Sequence, residues 1–588
     1  MTIDRRSFLK VAAGGAIGSA ALATAIGLEP RARNLYVQVM RPHVGPPLVD
    51  PEGTEVLYNG IRLPSPWPPY RQILESQPEF PPYLLQPPPV IPIDVGRQLF
   101  VDDFLIEECD LDRSYHSASY IAANPIVQPT TPWERRDEYA DRTHDPQRPT
   151  AMPFSDGVWF DPADRLFKMW YNAGYGGITA YAVSDDGVRW RKPPQDVVPG
   201  TNIVLNVARD SNTVWLDHDE PNPALRYKMM MYAGAGQRLR RYTSPDGIHW
   251  RSAGFGGPSG DRSTFFRNPF RNVWVYNIRE HPDQARTIGR HRRYVESREF
   301  CSLTPWTIAD AIGWVGADDL DRPRVDMRVT PQLYNLDCVA YESVLLGLFS
   351  MFFGDPSGRH KPNQIEVGFS RDGFHWARPS REPFIGVSEH RGDWNWTNVQ
   401  STGGCCLVMG DRLYFYVSGR AGVPGTGSPG VCSTGLATLR RDGFVSLDAP
   451  ADTLARNAGL PAERARSVTT RPVRFTGAYL FVNVDIDGGE LRAEVLDADG
   501  GVIEPFSAAR CVPIRQDTTR GRVTWSTGPT GSTGSAGSLA DLAGETVRFR
   551  FYLGRGRLYS FWVSPTERGE SRGYVAAGGP AFSGSTDT

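Results

Sequence analysis

What this sequence has little of narrows its function before any motif is read. Cysteine is scarce, seven in all, and the number is odd. At least one thiol therefore has no partner for an internal disulfide. Cys109, Cys301, Cys338, Cys405, Cys406, Cys432 and Cys511 are scattered without the spacing of a metal site. The ten histidines show no His-x-x-x-His pattern, so neither a metal nor any other cofactor is expected. Excess charge of one sign is missing too. The formal net charge is −2 and no long basic run occurs. That excludes the electropositive footprint of a nucleic-acid binder. Beyond the first residues, no apolar stretch reaches the ~20 residues of a membrane-spanning helix.

What is present points to a large all-β protein. A chain of 588 residues is too long for one ordinary domain. An apolar fraction of 40% and an aromatic fraction of 11% supply a large core. The 60 glycines and 49 prolines disfavour helices and suit the many turns of a β-protein.

Residues 1–33 read as an address. Arg5-Arg6, followed by Phe8, Leu9 and Lys10, resembles a twin-arginine export signal. A weakly apolar stretch from Val11 to Gly27 follows, with Ala23-Thr24-Ala25 as a cleavage pattern. The expectation is export by the twin-arginine translocase to the periplasm or beyond, with no stable membrane insertion once the signal is removed. A short N-terminal anchor is the alternative. Residues 34–93 are crowded with proline, as in Pro64-Ser65-Pro66-Trp67-Pro68-Pro69. Proline fixes φ and removes a donor, so neither helix nor central strand is expected there. An extended arm is expected instead, ordered by packing of Leu63, Trp67, Tyr70, Tyr83 and Leu84.

A repeat organises residues 94–450. Ser184-Asp185-Asp186-Gly187-Val188-Arg189-Trp190 returns as Ser244-Pro245-Asp246-Gly247-Ile248-His249-Trp250. It returns again as Ser370-Arg371-Asp372-Gly373-Phe374-His375-Trp376, and worn down as Arg441-Asp442-Gly443-Phe444. Trp190 to Trp250 is 60 residues, and Trp250 to Trp376 is 126, two steps of 63. Trp306 marks the missing copy. Asp-Gly is a tight-turn dipeptide because glycine accepts positive φ, so Asp186, Asp246 and Asp372 read as turn residues. Two short aromatic and β-branched runs precede each turn, as in Leu166–Tyr171 and Arg226–Tyr232, which is the signature of strands. Four strands per unit, repeated radially, make a β-propeller, and the count of units predicts five blades. Asp102 and Asp103 are expected on an edge or blade-closing strand, and Cys405-Cys406 within a core strand. Residues 451–565 alternate with period two and predict a β-sandwich. The Gly/Ser/Thr run at 526–538 reads as a flexible loop, and 566–588 as a disordered tail.

A propeller gathers the approaches to its innermost strands at one cavity. Asp156 stands before the first, Asp210 before the second and Asp261 before the third. Asp337 and Glu342 flank the fourth, and Glu389-His390-Arg391-Gly392-Asp393-Trp394-Asn395-Trp396 leads to the fifth. Glycoside hydrolysis needs such carboxylates, one to protonate the leaving oxygen and one to attack or to activate water. Asp156, Asp210 and Asp261 are the candidate catalytic residues. Arg209, Arg262, Asp337, Glu342 and Glu389 are candidates to bind sugar hydroxyls, with Trp394 and Trp396 as flat apolar faces. Aspartate before a strand also caps turns, so a structural role stands beside each assignment.

The layout resembles the five-bladed glycosidases of glycoside hydrolase family 32 and its relatives in families 43 and 68. Arg209-Asp210 resembles their Arg-Asp-Pro motif, with Ser211 in place of proline. The resemblance implies that Asp210 stabilises the transition state and that Asp156 is nucleophile or base. It implies that Asp261, where the family carries glutamate, is the general acid. It also implies a C-terminal sandwich and a carbohydrate substrate. The alternatives are a non-catalytic carbohydrate-binding propeller, a sialidase-like hydrolase, since Ser-x-Asp-Gly-x-x-Trp resembles the sialidase Asp-box, and a structural scaffold.

Overall fold

Runs of aromatic and β-branched residues bounded by turns pair into antiparallel sheets throughout the chain. In a computed structural model the described residues are 48–49, 54–71, 76–135, 148–234, 238–279, 289–301, 305–327, 329–354, 358–449, 466–526 and 538–588. The export signal lies outside them, as does the Gly/Ser/Thr run apart from Ser526 and Ser538. The fold is all-β, a β-propeller followed by a β-sandwich.

The first propeller sheet pairs Ala151–Asp161, Leu166–Ala173, Ile178–Ser184 and Ile203–Leu205 in that order. The second pairs Ser211–Leu216, Tyr227–Tyr232, Arg238–Ser244 and Arg251–Pro258. The third pairs Thr264–Asn268, Val273–Arg279, His291–Ser297 and Ile312–Gly316. A nine-stranded sheet follows. Its first half is Gln332–Glu342, Val344–Phe352 and Asn363–Ser370. Its second half is Asn398–Gln400, Arg412–Arg420 and Cys432–Arg440. One parallel pair, Asn363 with Asn398, joins the halves. Ser119–Tyr120 adds the outer edge from the N-terminal side.

The repeated turn is a latch between neighbouring sheets. Its aspartate carboxylate folds back on the backbone: Asp186 accepts from the amides of Val188 and Arg189 at 2.8 and 2.7 Å. Asp246 and Asp372 repeat this geometry. The closed turn then offers a carbonyl to the preceding sheet. The Trp170 indole donates to Gly247 O at 2.6 Å, the Trp314 indole to Phe374 O at 2.7 Å, and the Tyr416 hydroxyl to Gly187 O at 2.7 Å. The last of these returns from the final sheet to the first and shuts the ring.

The sandwich draws on more of the chain than 451–565. Its eight-stranded sheet includes Gln98–Leu99, Ile106–Cys109, Asp112–Tyr115 and Val445–Ala449. Two long strands form its spine, Tyr479–Leu496 and Arg548–Ser564. The register shifts between Ile486 and Glu490. A Cβ on Gly489 would lie 1.7 Å from Gly554 O, so only glycine fits this bulge.

Several expectations need correction. The segment 566–588 is no disordered tail: Tyr574–Val575 pair with Tyr341–Glu342, and Val575 and Ala577 are fully buried. The burial of Tyr574, Val575 and Ala577 and a strand pairing outweigh the polar composition. The arm contains one helical turn, Pro82–Leu85, with proline where its missing N–H costs nothing. Leu63 and Tyr83 are buried and Trp67 packs edge-on against Phe374, whereas Tyr70 is exposed. Asp102 belongs to no strand; it grips Arg371 through both carboxylate oxygens. Cys405 and Cys406 are buried core, two residues ahead of the strand Leu407–Met409.

Candidate functional site

The first sheet's innermost strand cannot run straight, because Pro153 has no N–H to give the ladder. Register jumps between Met152 and Gly157, leaving four residues opposite Tyr171. Phe154 and Ser155 take φ of 45° and 70° there, conformations that non-glycine residues adopt at a cost of about 1–3 kcal/mol. The strain is held by specific bonds. Phe154 N donates to Ser418 Oγ at 2.8 Å, and Ser155 Oγ donates to Asp337 Oδ2 at 3.0 Å. The bulge thereby places Phe154, Ser155 and Asp156 at the propeller centre. Asp156 sits inside the strand rather than ahead of it.

Asp156 is fully buried. Arg209 grips it with both terminal nitrogens, Nη1 to Oδ1 at 2.9 Å and Nη2 to Oδ2. Burial pushes the Asp156 carboxyl up to about 7, against the pull of the Arg209 charge. The same Arg209 Nη1 stands 3.4 Å from the backbone carbonyl of Asp210, so one guanidinium joins the Asp156 carboxylate to the main chain of the second candidate. The third joins through the backbone. Arg262 N donates to Ser211 Oγ at 3.0 Å, and the Arg262 side chain donates to Phe154 O at 2.6 Å and Ser155 Oγ at 2.9 Å. Asp261, beside it, pairs with Arg279 Nη1. The three loops carrying Asp156, Asp210 and Asp261 thus meet in one hydrogen-bonded network.

Their exposures differ, and that separates their possible roles. Asp210 and Asp261 are half-buried, open enough to meet a ligand. Asp210 Oδ1 has no hydrogen-bond partner. Its charge is felt by Arg262, Arg279 and Arg420 and by Tyr175, Tyr232 and Tyr334. Asp337 lies deeper. It accepts from Ser155, Asn335 and Ser401 at 2.6–3.0 Å, and burial pushes its carboxyl up.

Four expected sugar contacts fall elsewhere. Glu342 ends the strand that carries Asp337 and belongs to a different buried cluster. There it pairs with Arg441 at 3.0 Å, stands 3.5 Å from Arg97 and accepts from Ser571 at 2.7 Å. That cluster ties propeller, sandwich and C-terminal segment together, and it explains why a carboxylate tolerates full burial. Trp394 is built into the last sheet, edge-on to Tyr120 and against Gly419 and Gly435. Glu389 sits on the exposed rim with Arg324 and Arg359, and Trp396 is buried under Arg359.

Other residues at the centre carry no motif. Tyr175, Tyr334, Arg279, Arg292 and Arg420 arrive there from four sheet segments. A regularity was available: Arg279 and Arg420 each end the second strand of a unit. Among the described residues no cluster of His, Cys, Asp and Glu is placed to hold a metal ion.

No family model matches the chain, and no curated protein matches it. Solved structures do. An N-acetylgalactosamine deacetylase from F. plautii, in complex with blood group B trisaccharide, is 14% identical with a TM-score of 0.38, covering 56% of this chain and 96% of its own. A thermostable family-43 glycoside hydrolase is 11% identical with a TM-score of 0.35, covering 50% and 93%. A fructofuranosidase from Schwanniomyces occidentalis, complexed with fructosylnystose, is 12% identical with a TM-score of 0.32, covering 76% and 98%. Likenesses at this level assign neither activity nor residues.

Proposed function

We propose that the chain is an exported glycoside hydrolase whose reaction takes place at the centre of a five-bladed propeller, the two halves of the long sheet counting as separate blades. The observation that carries this reading is the convergence of half-buried Asp210 and Asp261 beside a guanidinium-locked Asp156. Two carboxylates open to a ligand are what glycosidic cleavage requires. An ion pair favours the charged carboxylate. The Arg279 partner therefore gives Asp261 the part of base or nucleophile, opposite to the acid role that the family 32 resemblance implies. Asp210 is the second carboxylate at the bond to be cut. Asp156 touches no ligand; it positions Arg209, and through it the backbone of Asp210. Tyr175, half-buried at the same place, supplies a ring face and a hydroxyl for sugar.

The test is release of p-nitrophenol from a panel of aryl furanosides and pyranosides. Asp210→Asn and Asp261→Asn are expected to lower turnover on the responsive substrate by about 10²–10⁴-fold, with unchanged circular dichroism. Wild-type rates in both variants would remove the catalytic assignment. Sugar binding with no cleavage of any glycoside would support the non-catalytic propeller instead.

A further inference from the structure

The propeller centre holds more positive charge than negative. Arg209, Arg262, Arg279, Arg290, Arg292 and Arg420 gather there. Among the described residues the carboxylates there are Asp156, Asp210, Asp261 and Asp337, so the arginines outnumber them. Among the described residues only Arg209 and Arg279 of these form ion pairs. Among the described residues, Arg262, Arg290, Arg292 and Arg420 reach no carboxylate. Arg292 donates to the carbonyls of Arg262 and Tyr334, and Arg290 to Gln332 Oε1 at 2.6 Å.

Arg420 is the least satisfied. It is 1% exposed. Its Nη1 stands 3.4 Å from His360 Nε2, and His360 is kept neutral by burial and by Arg420 itself. Among the described residues Nε and Nη2 have no hydrogen-bond partner. The guanidinium lies 5.3 Å from the rings of both Phe154 and Tyr175, and Asp210 acts on its charge. A buried charge with no counterion is strongly unfavourable. Nε and Nη2 are adjacent donors in the plane of the fork, the pair that takes two oxygens of one anion side-on.

We propose that the centre takes a glycan bearing an anionic substituent, a carboxylate or a sulfate, with Arg420 as its partner. This rests on the reading of the centre as a sugar-cleaving site. Asp210 and Asp261 then face the bond to be cut while Arg420 fixes the charged end. A neutral sugar offers the buried Arg420 no such partner, so the arginine excess sets specificity against it.

Thermal unfolding of the full chain tests this, with glucuronate, galacturonate, glucose 6-sulfate and glucose as probes at matched ionic strength. At least one anionic sugar is expected to raise Tm and glucose is not; whether the uronates or the sulfate act identifies the anion. Arg420→Met should fold, since it removes an unpaired buried charge, and should abolish the shift. Arg420→Lys keeps charge but loses the fork, and should weaken binding by about tenfold or more. An equal response to glucose, or an unchanged response in both variants, would overturn the proposal. Cleavage of aryl glucosides that Asp210→Asn abolishes, without any anionic preference, would defeat the anion inference and leave the hydrolase reading standing. Arg420-dependent uronate binding with no glycoside cut would do the reverse.

Discussion

Gly247 offers a test of how the ring is latched. It sits in the second copy of the repeated turn with φ of +80°, and its carbonyl accepts the Trp170 indole of the neighbouring sheet. Gly200 has the same φ of +80° but open space around it, whereas a Cβ on Gly247 would meet Trp170 Cζ2 at 2.4 Å. The two substitutions to alanine therefore share a backbone penalty, about 1–2 kcal/mol for the left-handed region. They differ in everything else. Trp170 is fully buried and held by its indole bond, so it cannot swing away. Overpacking adds about 1–3 kcal/mol, and displacement of the indole bond about 0.5–1.5 kcal/mol. Gly247→Ala should thus cost about 1.5–4.5 kcal/mol more than Gly200→Ala. At about 2 °C per kcal/mol for a large unit, the difference is about 3–9 °C in Tm. Thermal unfolding followed by tryptophan fluorescence measures it directly. Equal Tm values for the two variants would refute the latch.

Two further outcomes are expected. In the folded chain Asp156 holds its proton up to about 7, whereas in the unfolded chain it releases it near 4. The folded state therefore binds the extra proton across that window, and stability falls as pH rises through it; in Asp156→Asn, chemical denaturation between pH 4 and 7 should show this fall flattened. Glu342→Gln leaves Arg97 and Arg441 short of their shared partner and should lower stability by about 3–5 kcal/mol, while turnover per folded molecule stays unchanged.

Much of this was legible in the sequence, and the reasons are local. The Ser-x-Asp-Gly-x-x-Trp turn closes on its own backbone, so its copies announced the sheets. Asp210 and Asp261 stood out in the sequence because each stands five residues ahead of an aromatic of an innermost strand, Trp215 and Phe266. Asp156 was placed outside its strand, because a bulge around Pro153 depends on Ser418, far along the chain. Glu342 was misplaced for a related reason: it flanks the same strand as Asp337, but its surroundings come from Arg97, Arg441 and Ser571. Arg420 carries no motif at all, since only ring closure brings it opposite Phe154.

The edge strand Ser119–Tyr120 has an implication for synthesis. Its neighbour Asn124 bonds to Leu436, 312 residues later, and Glu342 receives its last strand partner from Tyr574. During synthesis the ring stays unsealed until Tyr574 has been added, with raw β-edges exposed meanwhile. A prematurely terminated copy emerges sticky rather than merely shortened, and is marked for removal by the surface it fails to cover.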